Sequence, residues 1–415
     1  MTEINESELI YDWNLKGDVA ERPKQKIEFD DETLRDGLQS PSVTDPTTKE
    51  KIEILHLMDR MGIDSADIGL PGAGPRAVEA VTALAKEIVD SRLAIRPNCA
   101  ARTVKADITP VIEISQKVGV AIEACTFIGS SPIRQYAEEW TIQRMLENTE
   151  TAVTYAVGHG LPVMYVTEDT VRSHPETLQR LFTAAIDCGA KRLCLCDTVG
   201  HATPDGVRAL VAWVKAFISE KKADVKLDWH GHQDRGLGVI NSIAALRAGV
   251  NRVHGCGIGI GERVGNTPMD LLLVNLKLLG WIENDLKVLS QYCNLISLVC
   301  KVPLPKNYPV VGADAFRTGT GVHAAAVIKA QKKGDAWLAD RIYSGVPAGL
   351  FGLAQKIEVG PMSGLSNVVY WLEQRGYEPT DALAEAVFKK AKEMNRLLED
   401  REILAIVEQH RRTGR

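Results

Sequence analysis

The chain has 415 residues, 45% of them hydrophobic, with 49 Lys and Arg against 54 Asp and Glu and a formal net charge of −5. Such a length holds one large domain of ~250 residues plus smaller appendages, and the composition is globular rather than disordered. The mild acidity excludes a global basic footprint, so neither nucleic acid nor an anionic membrane is expected as a main partner, and no stretch approaches the ~18 continuous apolar residues of a membrane span.

Residues 1–24 are polar and acidic without an apolar core, and are expected to be an extension that is neither signal peptide nor anchor. From residue 25 onward, short apolar runs alternate with helix-like stretches. The runs are Lys26–Phe29, Ser65–Leu70, Leu93–Pro97, Val120–Phe127, Pro162–Thr167, Arg192–Cys196, Val225–His230 and Arg252–Ile258. Between them, helical patterns cover Lys49–Met61, Pro75–Val89, Thr141–His159, Pro175–Cys188, Pro204–Ser219 and Gly238–Ala248; in Lys49–Met61, Ile52, Leu55, Met58 and Met61 recur three apart on one face. Strand–helix alternation predicts a parallel sheet, and eight units within 25–290 predict a (β/α)8 TIM barrel, whose usual size is ~250 residues. The alternative, an open doubly wound sheet, normally carries a glycine-rich fingerprint after its first strand, and Phe29–Gln39 has none. Beyond residue 290 two small, mainly helical subdomains are expected, 291–345 and 346–415. Thr380–Asp400 reads as one amphipathic helix, continued by a charged tail over Arg401–Arg412. Eight scattered cysteines, with Cys194 and Cys196 alternating in an apolar run, fit reduced, buried thiols of a cytoplasmic protein.

A barrel gathers the C-terminal ends of its strands on one face. That face would receive Arg35 and Asp36 after the first strand, Arg102 after the third, Glu168 and Asp169 after the fifth, and Asp197 and Thr198 after the sixth. His230, His232 and Asp234 follow the seventh strand, and Glu262, Arg263 and Asn266 the eighth. His230 and His232 stand two apart on a strand and point the same way. With Asp36, and an amide oxygen from Asn266, they form a mixed nitrogen and oxygen set that suits a divalent cation, Mg2+, Mn2+ or Zn2+. Alone, a His-x-His pair is more often packing; Asp36 on the same face reverses that balance. Arg35 is either a rim residue in a salt bridge or a permanent charge that polarises a carbonyl. Asp197 and Thr198 are equally readable as a helix cap and a turn hydroxyl. Gly257, Gly259, Gly261 and Gly265 suggest backbone lying close to a ligand, although glycines also build barrel loops. Cys125 and Cys256 read as small buried residues, and Cys256 as a nucleophile would need a lowered pKa.

Three ordered segments carry a resemblance: Thr33-Leu34-Arg35-Asp36-Gly37-Leu38-Gln39-Ser40, His230-Gly231-His232-Gln233-Asp234, and Gly259-Ile260-Gly261-Glu262-Arg263-Val264-Gly265-Asn266. They resemble the signatures of the DRE-TIM metallolyases, and within these the Claisen-condensing 2-isopropylmalate, homocitrate and citramalate synthases, over about residues 26–370. Cys196-Asp197-Thr198-Val199-Gly200 and Gly319-Thr320-Gly321-Val322-His323 match further family segments. The resemblance implies a homodimer that condenses acetyl-CoA or a similar acyl-CoA with a 2-oxo acid and hydrolyses the thioester, as in leucine biosynthesis. It implies Asp36, His230 and His232 as metal ligands, with Asn266 weaker. Arg35 would hold and polarise the 2-oxo acid, Thr198 its carboxylate, and Glu168 would lie near the reacting carbons. His323 and Tyr343 would assist proton transfer, and Gly259, Gly261, Glu262 and Arg263 would line the acyl-CoA arm.

Departures bear on the substrate. Leu38 stands where Glu or Asn is usual after Arg-Asp-Gly, as in hydroxymethylglutaryl-CoA lyases, but the lyase loop Gly-Gly-Cys-Pro-Tyr is replaced by Gly259-Ile260-Gly261-Glu262-Arg263, which favours a synthase. Asn98 occupies the position where homocitrate synthases place a histidine for a distal carboxylate, four before Arg102. Cys125 occupies the position that is histidine in many isopropylmalate synthases. A leucine-binding regulatory domain is not expected.

Overall fold

The computed structural model describes residues 6–16 and 22–413, so the extension expected over 1–24 falls partly outside the described residues. It divides into two compact units: the chain up to Asn284 with Val299–Lys301, and Asp285–Leu298 with the chain from Val302.

The first unit is a closed parallel barrel of eight strands in sequential order: β1 Glu28–Asp31, β2 Ser65–Asp67, β3 Arg96–Arg102, β4 Glu123–Gly129, β5 Val163–Glu168, β6 Arg192–Asp197, β7 Lys226–Gly231 and β8 Arg252–Gly255. Closure is made by β1 on β8, with Asp30 opposite His254. Helices α1 Thr48–Arg60, α2 Pro75–Asp90, α3 Lys105–Val118, α4 Ile142–Gly158, α5 Pro175–Asp187, α6 Pro204–Lys221, α7 Gly238–Ala248 and α8 Met269–Leu278 follow successive strands. Several starts are written in the sequence. Thr47 and Glu50 form a reciprocal capping box on α1, and proline occupies the first turn of α2, α5 and α6.

One strand expectation is corrected. The third strand is not Leu93–Pro97 but Arg96–Arg102. Pro97 looks like a terminator, yet the strand is carried by the small residues Asn98, Cys99, Ala100 and Ala101, all buried. Helices α3 and α8 escaped the pattern for opposite reasons. Pro110 interrupts the first, and the second buries Met269, Leu272, Leu273, Val274 and Leu276 nearly all round, which erases its period.

The barrel interior is ionic where barrels of this kind usually pack branched aliphatics. Arg252 on β8 reaches Asp228 on β7 (2.6 Å), Glu123 on β4 (2.6 Å) and the Ser65 hydroxyl on β2 (3.0 Å). Arg192 on β6 pairs with Asp228 at 2.8 Å and with Glu28. Each buried charge therefore has an opposite partner, which burial demands. The aliphatic core lies outside, between strands and helices, where Trp229, Tyr165, Phe29 and Phe182 are fully buried.

In the second unit, β9 Arg317–Thr318 pairs in parallel with β10 Lys356–Ile357. Helix α9 Gly321–Lys332 packs Ala324, Val327 and Ile328 on Ile357. Helices α10 Ala336–Arg341, α11 Leu365–Gln374, α12 Asp381–Glu393 and α13 Asp400–Thr413 follow, the last three joined by a core of Val368, Trp371, Leu383, Val387, Ile403 and Val407. The single helix expected over Thr380–Asp400 is corrected: it stops at Glu393, where Met394 turns extended (φ −91°, ψ 157°). All eight cysteines are free, and among the described residues no helix is long and apolar enough to cross a membrane.

Candidate active site

The strand ends of the barrel enclose a cavity of about 350 Å³. Asp36 enters it from the turn after β1, which is tied down by Glu32 O accepting from the N–H groups of Arg35 (3.1 Å) and Gly37 (3.0 Å). His230 and His232 enter from β7. Asp36 Oδ2 lies 3.6 Å from His230 Nε2 and 3.5 Å from His232 Nε2. These gaps are long for hydrogen bonds but natural for two atoms each about 2.1 Å from one cation. Asn266 pairs with His232 through an isolated bridge, and its buried Oδ1 has no hydrogen-bond partner. Asp36, His230 and His232 each offer one ligand atom, all within 4.8 Å of one another, a nitrogen and oxygen set that fits a divalent ion, and the orphaned Asn266 amide oxygen belongs to a residue bridged to His232.

One carboxylate organises the surroundings. Glu32 Oε2 sits 2.6 Å from His230 Nδ1, while Oε1 accepts from Arg35 Nη2 (3.1 Å) and faces His254 Nδ1 (3.1 Å). His254 Nε2 in turn faces Asp228 Oδ2 at 3.1 Å. Carboxylate oxygens, which can only accept, thus face both ring nitrogens of His254, so both donate; burial opposes charge on this ring, and the surrounding groups raise its pKa above the ordinary value. Burial likewise disfavours charge on Glu32 and Asp36, but Arg35 and the histidines outweigh it and hold both carboxyls well below the usual range.

Arg35 is held by Asp67 Oδ2 at 2.7 Å, by Glu32, and by Asp36 at 3.4 Å. Its Nη1 has no closer acceptor than Asp36 among these contacts and borders the cavity. Glu168 closes β5 and lines the cavity; burial raises its pKa above the ordinary carboxylate value. Thr198 lines it too, its hydroxyl accepting from Asp169 N (2.8 Å) and keeping its own proton to donate. The wall over β3 to β6 is apolar and sulfur-rich: Ala100, Cys125, Phe127, Met164, Val166, Cys194 and Cys196.

Other expected residues lie elsewhere. Arg102 is 64% exposed, forms a two-point pair with Asp107 (2.8 and 2.8 Å), and does not line the cavity. Asn98 is buried in β3 outside the cavity lining, donating to Asp30 (2.6 Å) and accepting from the Cys125 thiol (3.4 Å). Asp197 caps no helix; its carboxylate receives His201 N and Ala202 N (2.7 and 3.1 Å), and Thr203 caps α6. The glycine run is corrected in its physical reason. A Cβ on Gly259 would strike Gln233 and Pro268, one on Gly261 would stand 2.2 Å from Asn266 Nδ2, and one on Gly265 1.8 Å from Gly259 O. The missing side chains make room for the loop's own folding and for Asn266. Glu262 and Arg263 do line the cavity, and Arg263 ties Asp234 (2.8 Å) to Thr198 O (2.6 Å). Cys256 is fully buried with its thiol pKa pushed up by burial, which suits packing. His323 and Tyr343 belong to the second unit, where their rings stack at 4.2 Å.

Glu32, Asp67 and His254 were not singled out from the sequence. A signal existed: Asp67 ends β2, and Arg252 and His254 alternate on β8 as His230 and His232 do on β7. A second hollow of about 390 Å³ adjoins the first through Arg35, Gln39 and Leu70; Leu38, Ala77 and Val81 line it, with Arg76 and Lys51 beside Asp45.

The HMGL-like family model matches residues 26–299. The chain is similar to the homocitrate synthase AksA of Methanopyrus kandleri, 32% identical over 373 residues, covering 89% of this chain and 88% of that protein. It is similar to the 2-isopropylmalate synthase of Pyrococcus abyssi, 32% identical over 400 residues, covering 93% and 78%. Among solved structures, the HMG-CoA lyase of Bacillus subtilis has the same fold, with a TM-score of 0.57 at 21% identity over 69% of this chain and 97% of that one.

Proposed function

Since the chain belongs to the HMGL-like family of DRE-TIM barrel enzymes, we propose that it condenses an acyl-CoA, acetyl-CoA above all, with a 2-oxo acid and then hydrolyses the thioester, in the manner of a 2-isopropylmalate synthase. The observation that carries this reading is Asp36 facing both imidazoles, with the Arg35 guanidinium fixed beside it. Names of relatives support the synthase class: homocitrate, 2-isopropylmalate and citramalate synthases. The Gly259–Asn266 segment supports synthase over lyase, since it presents Glu262 and Arg263 to the cavity and no thiol.

A divalent cation held by Asp36, His230 and His232, with Asn266, would polarise the ketone of the 2-oxo acid when bound. Thr198 donates its hydroxyl to the acid's carboxylate. Arg35 donates to the ketone oxygen and stabilises it as it becomes an alkoxide, a charge that is fixed and needs no reorganisation. The α-proton of the thioester leaves to a base, the enolate carbon bonds to the ketone carbon, and the alkoxide takes up a proton. Glu168, kept protonatable by burial, serves these transfers, and we assign His323 and Tyr343 to them as well. Water then cleaves the thioester, releasing CoA as a free thiol and making the sequence irreversible. Glu262 and Arg263 are assigned to the thioester end of the acyl-CoA, and the adjoining hollow with its basic rim to the arm. We place this reaction in leucine-type amino-acid biosynthesis, in the cytoplasm, in a homodimer.

A thiol-release assay with acetyl-CoA and a panel of 2-oxo acids tests the reading. Thiol should appear only when thioester and 2-oxo acid are both present. Absence of release with every pair, or liberation of acetyl-CoA from a 3-hydroxyacyl-CoA instead, would overturn it.

A further inference from the structure

We propose that Glu32, braced by His254, is the positioning residue that sets both halves of the active site, fixing the ring of His230 with Nε2 toward Asp36 and the guanidinium of Arg35 beside it.

The argument is geometric. Glu32 is 3% exposed and directly follows β1, where its two oxygens face three partners: His230 Nδ1 at 2.6 Å, Arg35 Nη2 at 3.1 Å and His254 Nδ1 at 3.1 Å. The His230 contact is short and is not an aligned hydrogen bond, since Oε2 has no hydrogen-bond partner. A bare lone pair on Nδ1 would still repel a carboxylate oxygen 2.6 Å away, and a carboxylate can only accept, so the proton of His230 belongs on Nδ1 and the lone pair on Nε2, the nitrogen 3.6 Å from Asp36. Were the ring turned or its proton moved, Nε2 would point a hydrogen at the place a cation needs. Carboxylates behind a ligating histidine fix ring orientation in this way elsewhere, and their loss typically costs 10–100-fold in metal affinity.

His254 keeps Glu32 in place. Its second nitrogen is anchored on Asp228, which is held by Arg252 (2.6 Å) and Arg192 (2.8 Å). The ionic interior of the barrel thus ends in one carboxylate facing the chemistry. Glu32, His230 and His254 also lie close enough to hold a cation themselves. His230 has only one Nδ1, however, so that arrangement would draw the ring away from Asp36 and His232.

The positioning role of Glu32 stands without the condensation reading. The test is Mn2+ titration of the full chain, following free Mn2+ by electron paramagnetic resonance, on parent, Glu32→Gln, His254→Gln and Glu123→Gln. Glu123 belongs to the same ionic interior but touches neither His230 nor Arg35, and it serves as control. Glu32→Gln should weaken Mn2+ by about 10–100-fold and His254→Gln in the same direction, with Glu123→Gln within twofold of parent. Histidine ring-nitrogen shifts should show Nδ1–H on His230 in the metal-free parent and a mixture in Glu32→Gln. Parent-like Mn2+ affinity in Glu32→Gln, or equal weakening in Glu123→Gln, would overturn the inference. Should Glu32→Gln fail to fold, parent-like affinity in His254→Gln overturns it instead. If affinity falls as expected while no thioester and 2-oxo acid pair releases thiol, the condensation reading fails and the positioning role stands.

Discussion

Arg35 Nε donates to Asp67 Oδ2 at 2.7 Å, and Asp67 is 1% exposed. Burial, with Glu32 and Asp30 nearby, pushes this carboxyl up to about 7 against the pull of Arg35. The unfolded chain releases that proton near the ordinary 3.8, so between the two values the folded state holds more protons and stability falls as pH rises. Asp67→Asn should remove this slope. Urea midpoints of parent and variant from pH 4 to 7 check it; a constant difference across the window would contradict the assignment.

Asp36 and His232 contribute two of the three closely facing donor atoms. Mn2+ should raise the melting temperature of the parent, since a ligand that binds only the folded state stabilises it, and should leave that of Asp36→Ala or His232→Ala unmoved. Thiol release should fall by at least about a thousandfold, because polarisation by a metal supplies several kcal/mol.

Glu168→Gln should lower kcat by about 10²–10⁴-fold, the usual worth of a placed acid–base group. Burial raises the pKa of Glu168 above its ordinary 4.5. The parent's pH–rate profile should therefore bend on the acid side above the normal carboxylate range, and the variant should lose that limb.

Arg252→Met leaves Asp228 and Glu123 buried with one fewer cation. Breaking a buried pair in this way costs about 3–5 kcal/mol, which a chemical-denaturation midpoint reads directly. Restoring charge with Lys should recover only part, since one ammonium cannot reach Asp228, Glu123 and Ser65 as the guanidinium fork does.

Gly265→Ala puts a methyl 1.8 Å from Gly259 O at φ +97° and should yield little folded protein. Gly376→Ala, also at positive φ (+73°) but with nothing within 4 Å, should cost about 1–2 kcal/mol of backbone strain only. Equal losses at the two positions would mean that crowding in the 257–267 loop is unimportant.

The barrel was legible because hydrophobic runs and helix signals repeat eight times, and Asp36, His230 and His232 were legible because strand ends converge. Register was harder. β3 is made of small residues behind Pro97, so neither β-branching nor alternation marked it; Arg102 does end this strand, but its pairing with Asp107 at the exposed rim is a tertiary contact that the sequence did not show. Glu32 stands just before the Thr33–Ser40 motif without a role legible from sequence, since only the folded chain shows which of Asp30, Asp31, Glu32 and Asp36 meet an imidazole. The glycines were visible, but whether the space beside them holds a ligand or the protein itself is a three-dimensional fact.

The cavity's sulfur-lined wall is built by β4, β5 and β6, whereas its charged groups come mainly from β7, β8 and the turn after β1. Cys125, Met164, Cys194 and Cys196 form their own small cluster with Val166. Under the proposed function, exchanging one of them for a larger or smaller apolar neighbour should reshape that wall while sparing Asp36, His230 and His232. On that reading, selectivity and reactivity lie on different arcs of one ring, and the first can drift without dismantling the second.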